Sequence, residues 1–299
     1  MESRKLSPTL KWLFKLTISA IALYVVFLKI DINQVLKLVK NLRVLPVIIA
    51  LVLFNFSQIV SAFRYRDYLK ILNIQLNPLR NIKLYYVGMF YNLFLPGGVG
   101  GDGYKVWLLK KEFSTSWRAL ITVSFLERLN GLAALMTLAL VIMVFLPLEE
   151  TFAVPSLIAF LLAGLMFPVL YLVVRLTDKK YTKYFITISG QSLLIQILQL
   201  ISGYFILVSL GLADSFGVYL FLFLISSVAA VLPITIGGIG ARELVFIYGK
   251  SFLPIDTGLA VTFSLMFFLI TAVSSFVGVF FDISGKVNLN VDMESHSLR

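Results

Sequence analysis

The sequence of 299 residues contains no cysteine and a single histidine, His296. Without cysteine there is no disulfide, no thiolate nucleophile and no cysteine-based metal site. One histidine beside the C-terminus excludes HExxH-type metal sites and leaves no Ser-His or Cys-His pair for nucleophilic catalysis. We therefore predict a protein with no catalytic residues of these classes, no bound metal and no cofactor.

Charged residues are also scarce, at 14% of the chain, whereas hydrophobic residues make up 59%. A soluble domain has about 25% charged and roughly 45–50% apolar residues, and the mean hydropathy here is +0.94. A soluble core of this size cannot hide so many apolar side chains from water. The sequence therefore predicts an all-α polytopic membrane protein, because helices satisfy their own backbone groups in lipid.

Seven apolar runs are long enough to cross the bilayer as helices. They lie at about 12–28, 44–63, 119–146, 153–174, 189–210, 216–234 and 257–281. We interpret the first run as an uncleaved span rather than a signal peptide, because it continues beyond any cleavage site. The predicted organisation is one membrane-embedded domain, residues 1–284, followed by a polar tail, residues 285–299.

Basic residues outnumber acidic residues by 26 to 15. In a membrane protein such an excess sets the topology and meets anionic headgroups, so we expect no nucleic-acid partner. The basic residues between spans fall mostly on one side, which predicts a cytoplasmic N-terminus and a location in the cytoplasmic membrane. That side includes Arg64, Arg66, Lys70, Arg80, Lys83, Lys110, Lys111, Arg118, Arg175, Lys179, Lys180 and Lys183.

Two glycine-rich motifs, residues 95–105 and 232–242, match each other without gaps in the pattern L-P-x-x-V/I-G-G-x-G-x-K/R. Each helical glycine costs about 1 kcal/mol relative to alanine, so we expect both motifs to be non-helical. Non-helical backbone at membrane depth must be buried in protein or line a wet cavity. We therefore predict two re-entrant or broken-helix segments and an inverted internal repeat, a feature that marks transporter binding sites. Two unrelated tight turns are the alternative.

Both motifs have features that favour the binding of an anion. Successive glycine N–H groups form a concave donor site, and a following helix adds its positive end. The candidates for a phosphate are the backbone of Gly100, Gly101, Gly237 and Gly238, with Lys105 and Arg242 two residues after the last glycine. The spacing matches neither a Walker motif nor a dinucleotide-binding turn.

Four further charged residues, Asp102, Glu127, Arg128 and Glu243, lie in or beside apolar runs. Each costs at least about 2.5–3.5 kcal/mol at the bilayer centre unless it has a partner or water. Glu127 and Arg128 are adjacent on a helix and do not face each other, so we expect Arg128 to pair with Asp102 or Glu243. These charges form either a buried network that fixes helix packing or a polar cavity for a charged headgroup.

The two motifs, together with Glu127-Arg128-x-x-Gly131, resemble the flippase-like membrane region of the lysylphosphatidylglycerol synthetases and its stand-alone relatives. The resemblance extends over about residues 1–285. It implies the movement of aminoacylated phospholipid between leaflets. The separate soluble domain that makes the aminoacyl lipid is absent from this sequence, so the resemblance implies lipid handling without synthesis.

The leading hypothesis is a flippase-like or scramblase-like lipid transporter. Its substrate would be an anionic or aminoacylated phospholipid or a polyprenyl-phosphate lipid. The alternative is a membrane partner that presents such a lipid to an enzyme, and a membrane-embedded transferase is a third hypothesis. A lipid-synthesising enzyme and a second copy of the chain are open as partners. The predicted substrate-binding residues are Gly100, Gly101, Asp102, Lys105, Glu127, Arg128, Gly237, Gly238, Arg242 and Glu243.

Overall fold

A computed structural model describes residues 40, 42–94, 100–146, 156–231 and 241–283. Within these ranges the chain forms nine α-helices and one short 3-10 helix, Lys179–Thr182, and no strand, which confirms the all-α prediction. The α-helices are α1 Val44–Ile71, α2 Pro78–Phe94, α3 Gly100–Glu112, α4 Trp117–Met143, α5 Ser156–Thr177, α6 Phe185–Ser209, α7 Phe216–Val231, α8 Ala241–Gly249 and α9 Thr257–Ile283.

Among the residues that the structure describes, five helices are long and apolar enough to cross a membrane. They are α1, α4, α5, α6 and residues Gly258–Phe281 of α9. The predicted span at 216–234 corresponds to α7, which is apolar but shorter. The predicted span at 12–28 and the tail at 285–299 lie outside the described residues. The division into one domain and a tail stays a prediction.

Helices α1 and α6 pack against each other in antiparallel directions. The Ser202 hydroxyl donates to the Ala50 carbonyl over 2.8 Å, and Gln191 Nε2 donates to Asp67 Oδ2 over 2.9 Å. Early residues of α1 thus meet late residues of α6, and late residues of α1 meet early residues of α6. This pair has the most extensive helix–helix contact among the described residues.

Two apolar clusters fill opposite ends of this pair. The tyrosine–leucine cluster surrounds the end of α1 and the start of α6, and includes Tyr65, Leu69, Leu109, Leu120 and Leu126. The phenylalanine cluster surrounds the other end and includes Phe54, Phe223, Phe246, Phe263 and Phe267. Its rings meet mainly edge to face, as between Phe54 and Phe267 at 5.5 Å, an arrangement that aromatic quadrupoles favour.

Helix α2 lies tightly between α3 and α9 because glycines permit close backbone approach. A Cβ atom added at Gly101 of α3 would overlap the Gly88 carbonyl of α2. One added at Gly278 of α9 would overlap the Tyr86 carbonyl, also of α2. The first contact holds α2 and α3 as a closely packed hairpin, and the second holds α2 against α9.

The prediction that the first glycine motif is non-helical is wrong for its second half, because α3 begins at Gly100. The first turn of a helix has N–H groups with no intrahelical acceptor. Here the Gly101 N–H donates to Asn92 Oδ1 of α2 over 2.8 Å. The packing of Gly101 against Gly88 offsets the conformational cost of glycine. Residues 95–99 and 232–240 lie outside the described residues, so the re-entrant segments and the inverted repeat stay predictions.

Candidate functional site

Glu127 is the centre of a buried ion network between the two apolar clusters. It lies on α4 and is 5% exposed. Arg64 Nη2 of α1 lies 3.4 Å from Glu127 Oε1, and Lys105 Nζ of α3 lies 3.4 Å from Glu127 Oε2. One carboxylate therefore joins three helices at a depth where an isolated charge is costly.

Lys105 is held from several directions. Its ammonium lies 3.0 Å from Asp102 Oδ1, one turn earlier on α3. The same ammonium lies 4.1 Å from the ring centre of Tyr65 and 4.8 Å from that of Tyr85, within the range of a cation–π interaction. Gly88 leaves room for the aliphatic part of Lys105, since a Cβ there would lie 2.9 Å from Lys105 Cδ.

Arg128 pairs with Asp102, one of the two partners expected from the sequence. Arg128 Nη2 and Nε lie 2.6 and 2.7 Å from Asp102 Oδ2. Asp102 therefore connects Lys105 of its own helix to Arg128 of α4. The result is a continuous chain of ion pairs running from Arg64 through Glu127, Lys105 and Asp102 to Arg128.

Arg64, grouped in the sequence with the basic residues between spans, is buried inside the protein. Arg64 is 6% exposed, and its Nη1 donates to the Ser192 hydroxyl of α6 over 2.8 Å. The apolar run ends near residue 63, but α1 continues to Ile71 and carries Arg64 on its inward face. A signal was present in the sequence, because Ser57, Ser61 and Arg64 follow helical spacing and form a polar stripe on an apolar helix.

Two adjoining cavities open beside the network. The first, about 230 Å³, is lined by all five members of the ion-pair chain. The second, about 330 Å³, is lined by Arg128 and Arg242 and by polar side chains that include Gln196, Gln199, Ser227 and Ser275. Both cavities share Tyr85, Met89, Asn92, Arg128, Leu135 and Gln196. They therefore form one polar region, which we call the central cavity.

Arg242 reaches the central cavity from α8, which follows the second glycine motif. Its guanidinium lies 5.7 Å from the ring centre of Phe223 and 5.3 Å from that of Phe267. The planar group is thus held by the phenylalanine cluster at the wall of the second cavity. Arg242 of the second motif and Lys105 of the first consequently line adjoining parts of one region.

The structure therefore brings together five of the predicted site residues, namely Asp102, Lys105, Glu127, Arg128 and Arg242. Gly101 packs against α2, and Gly100 begins α3. Gly237, Gly238 and the side chain of Glu243 lie outside the described residues. The assignment of all ten residues to substrate binding stays a prediction.

Positive charge dominates the described lining. The cations are Arg64, Lys105, Arg128 and Arg242, and the carboxylates are Asp102 and Glu127. No carboxylate belongs to the described lining of the second cavity, which contains two arginines. Across the described part of the chain, no group of three His, Cys, Asp or Glu side chains is placed to hold a metal ion. The charges of this lining favour an anionic ligand.

A family model described as Lysylphosphatidylglycerol synthase TM region matches residues 12–278. The chain belongs to this family. The match confirms the resemblance inferred from the glycine motifs and includes every member of the ion network. As a member of the Lysylphosphatidylglycerol synthase TM region family with several long apolar helices, the protein is a multi-pass membrane protein. A comparison with curated proteins found no match.

Proposed function

We propose that the protein is a lipid transporter of the flippase or scramblase type, which moves a phosphate-bearing lipid between leaflets. One observation carries this proposal. Two arginines, Arg128 and Arg242, line a cavity of about 330 Å³ that has no carboxylate in its described lining. Both arginines are half-buried at the wall of this cavity, and cations so placed favour an anionic ligand.

The arginines suit phosphate better than other cations do. A guanidinium offers a planar fork of donors that matches two phosphate oxygens, whereas a lysine ammonium acts as a point charge. The amide and hydroxyl side chains of the same wall, such as Gln199 and Ser227, supply further hydrogen-bond partners for a glycerol or sugar headgroup. We therefore assign Arg128 and Arg242 to the lipid phosphate.

The ion-pair chain has a supporting role in this proposal. Both carboxylates, Asp102 and Glu127, already face protein cations at 2.6–3.4 Å. We infer that Glu127 and Asp102 hold Lys105 and Arg128 in place rather than bind a cationic part of the headgroup. The network thus keeps α1, α3 and α4 in register while the second cavity receives the lipid.

Leaflet exchange in liposomes tests the proposal. Purified protein is reconstituted with a fluorescent phosphatidylglycerol, and a membrane-impermeant reductant bleaches the outer leaflet. We expect bleaching to proceed beyond the outer-leaflet fraction with wild type and with Arg175→Gln, a control that removes an exposed cation outside the cavity. With Arg242→Gln, we expect bleaching to stop near the level seen in protein-free vesicles.

A second lipid set separates transport from presentation. The wild-type protein is assayed with phosphatidylglycerol and with a polyprenyl phosphate. If neither lipid exchanges faster than in protein-free vesicles, the result contradicts transport. Saturable lipid binding that persists under those conditions would favour the alternative, a membrane partner that presents lipid to an enzyme.

A further inference from the structure

A further polar cavity lies at the C-terminal end of α1 and shares no lining residue with the central cavity. It measures about 310 Å³ and is lined by Arg66, Lys70, Asn73, Gln75, Lys183 and Tyr184, which we call the basic cavity. Every one of these side chains carries a hydrogen-bond donor, three are cations, and none is a carboxylate. Such a lining presents donors to a ligand that is itself rich in acceptors.

The geometry of α1 separates the two cavities. Arg64 and Arg66 are two residues apart, which places their side chains about 200° apart around the helix. Arg64 therefore faces the central ion network, whereas Arg66 faces the basic cavity. Nε of Arg66 is buried and has no hydrogen-bond partner among the described residues.

The loop that forms one wall is fixed by the end of α1. The Asn73 N–H donates to the Lys70 carbonyl, and the Ile74 N–H donates to the Leu69 carbonyl, each over 3.0 Å. These are the two bonds of a Schellman motif, with Asn73 in the left-handed conformation at φ 59°. Because Ile74 and Leu76 are buried, the intervening Gln75 is turned outward to the cavity.

Charge within the basic cavity is only partly compensated. Lys70 Nζ lies 2.7 Å from Asp67 Oδ1, and Asp67 is held by Gln191 as well. No carboxylate among the described residues lies within ion-pair distance of Arg66 or Lys183. Lys183 and Tyr184 directly precede α6, so the positive end of that helix adds to the field.

We propose that the basic cavity binds a phosphate group, at a site distinct from the central cavity. The ligand is either the phosphate of an anionic lipid headgroup at the membrane surface or a soluble phosphate. Arg66 supplies the planar fork, Lys183 supplies a second charge, and Asn73, Gln75 and Tyr184 complete the donor set. A bound phosphate would join the end of α1 to the start of α6 and relieve the repulsion between their cations.

Thermal unfolding of the full chain in an uncharged detergent tests this site. The ligands are inorganic phosphate, with sodium chloride at equal ionic strength as its control, and dihexanoyl phosphatidylglycerol, with the zwitterionic dihexanoyl phosphatidylcholine as its control. The variants are Arg66→Gln and Lys183→Gln, and Arg175→Gln is the matched control. Arg175 is an exposed cation near the same end of the bundle and does not line this cavity.

We expect wild type and Arg175→Gln to be stabilised saturably, and Arg66→Gln and Lys183→Gln to need roughly tenfold more ligand. A phosphatidylglycerol effect that Lys183→Gln weakens, with no effect of inorganic phosphate, would identify a lipid headgroup as the ligand of the basic cavity. A matching effect of inorganic phosphate, also weakened in Lys183→Gln, would show that the phosphate group suffices. Equal half-saturation in Lys183→Gln and Arg175→Gln, with both ligands, would overturn the proposal. Lys183 is exposed, so this variant tests the site even where Arg66→Gln fails to fold.

Discussion

Lys105 and Arg242 occupy equivalent positions in the two glycine motifs, yet their surroundings differ. Lys105 lies between two carboxylates and two tyrosine rings and is 3% exposed. Arg242 lies against two phenylalanine rings on the wall of the larger cavity. The same sequence pattern therefore places one cation within an ion network at the first cavity and the other against the phenylalanine cluster at the second cavity.

This difference bears on the roles of the two glycine motifs. In the first motif, Gly101 and Lys105 connect α3 to α2 and α4, so this motif fixes helix packing. In the second motif, the phenylalanine cluster orients Arg242 and leaves its guanidinium at the second cavity. We infer that the first motif chiefly supplies stability and the second chiefly supplies lipid recognition.

Glu127→Gln should have the largest effect on folding. It leaves Arg64 and Lys105 buried without the carboxylate that they share, and breaking a buried pair in this way costs about 3–5 kcal/mol. Thermal unfolding in detergent measures the loss. Asp178→Asn, which removes the exposed partner of Lys180, is the control and should leave the unfolding temperature unchanged. A Glu127→Gln protein as stable as wild type would contradict the structural role of the network.

Gly101→Ala should destabilise the α2–α3 hairpin. The added methyl would overlap the Gly88 carbonyl, so the two helices must separate, at a cost of about 1–3 kcal/mol. Gly103→Ala is a matched control two residues later, because nothing lies within 4 Å of its added Cβ. Alanine also favours a helix over glycine by up to about 1 kcal/mol. Equal loss of stability in the two variants would show that the Gly101 contact is not what matters.

Arg242→Lys should have the smallest effect, and it acts on recognition rather than on folding. The charge is kept, but the planar fork that grips two phosphate oxygens is lost. We expect an unchanged unfolding temperature and a leaflet-exchange rate between those of wild type and Arg242→Gln. Full activity in Arg242→Lys would indicate that Arg242 acts only as a positive charge.

Much of the fold was predictable from the sequence because hydrophobic runs report membrane spans directly. The helices α1, α4, α5, α6 and α9 overlap predicted runs. The helical angle between Glu127 and Arg128 directs them to different partners, and it narrowed the partner of Arg128 to Asp102 or Glu243, of which the structure shows Asp102. Composition and helical geometry suffice for inferences of this kind.

Features that depend on packing between distant segments were not predictable in the same way. The helical start at Gly100 is stabilised by Asn92 and Gly88 of another helix, which local propensity does not include. The burial of Arg64 depends on α1 extending beyond its apolar run and on Glu127 lying opposite. The two tyrosine rings beside Lys105 likewise come together only through tertiary contacts.

The different roles of the two glycine motifs are tested most directly by the stabilisation of Arg242→Gln by dihexanoyl phosphatidylglycerol, measured beside wild type. Without lipid we expect the two proteins to unfold at nearly the same temperature. With lipid we expect wild type to be stabilised more than the variant, while any stabilisation through the basic cavity is common to both. A wild type that the lipid stabilises no more than Arg242→Gln would contradict the assignment of Arg242 to the lipid phosphate.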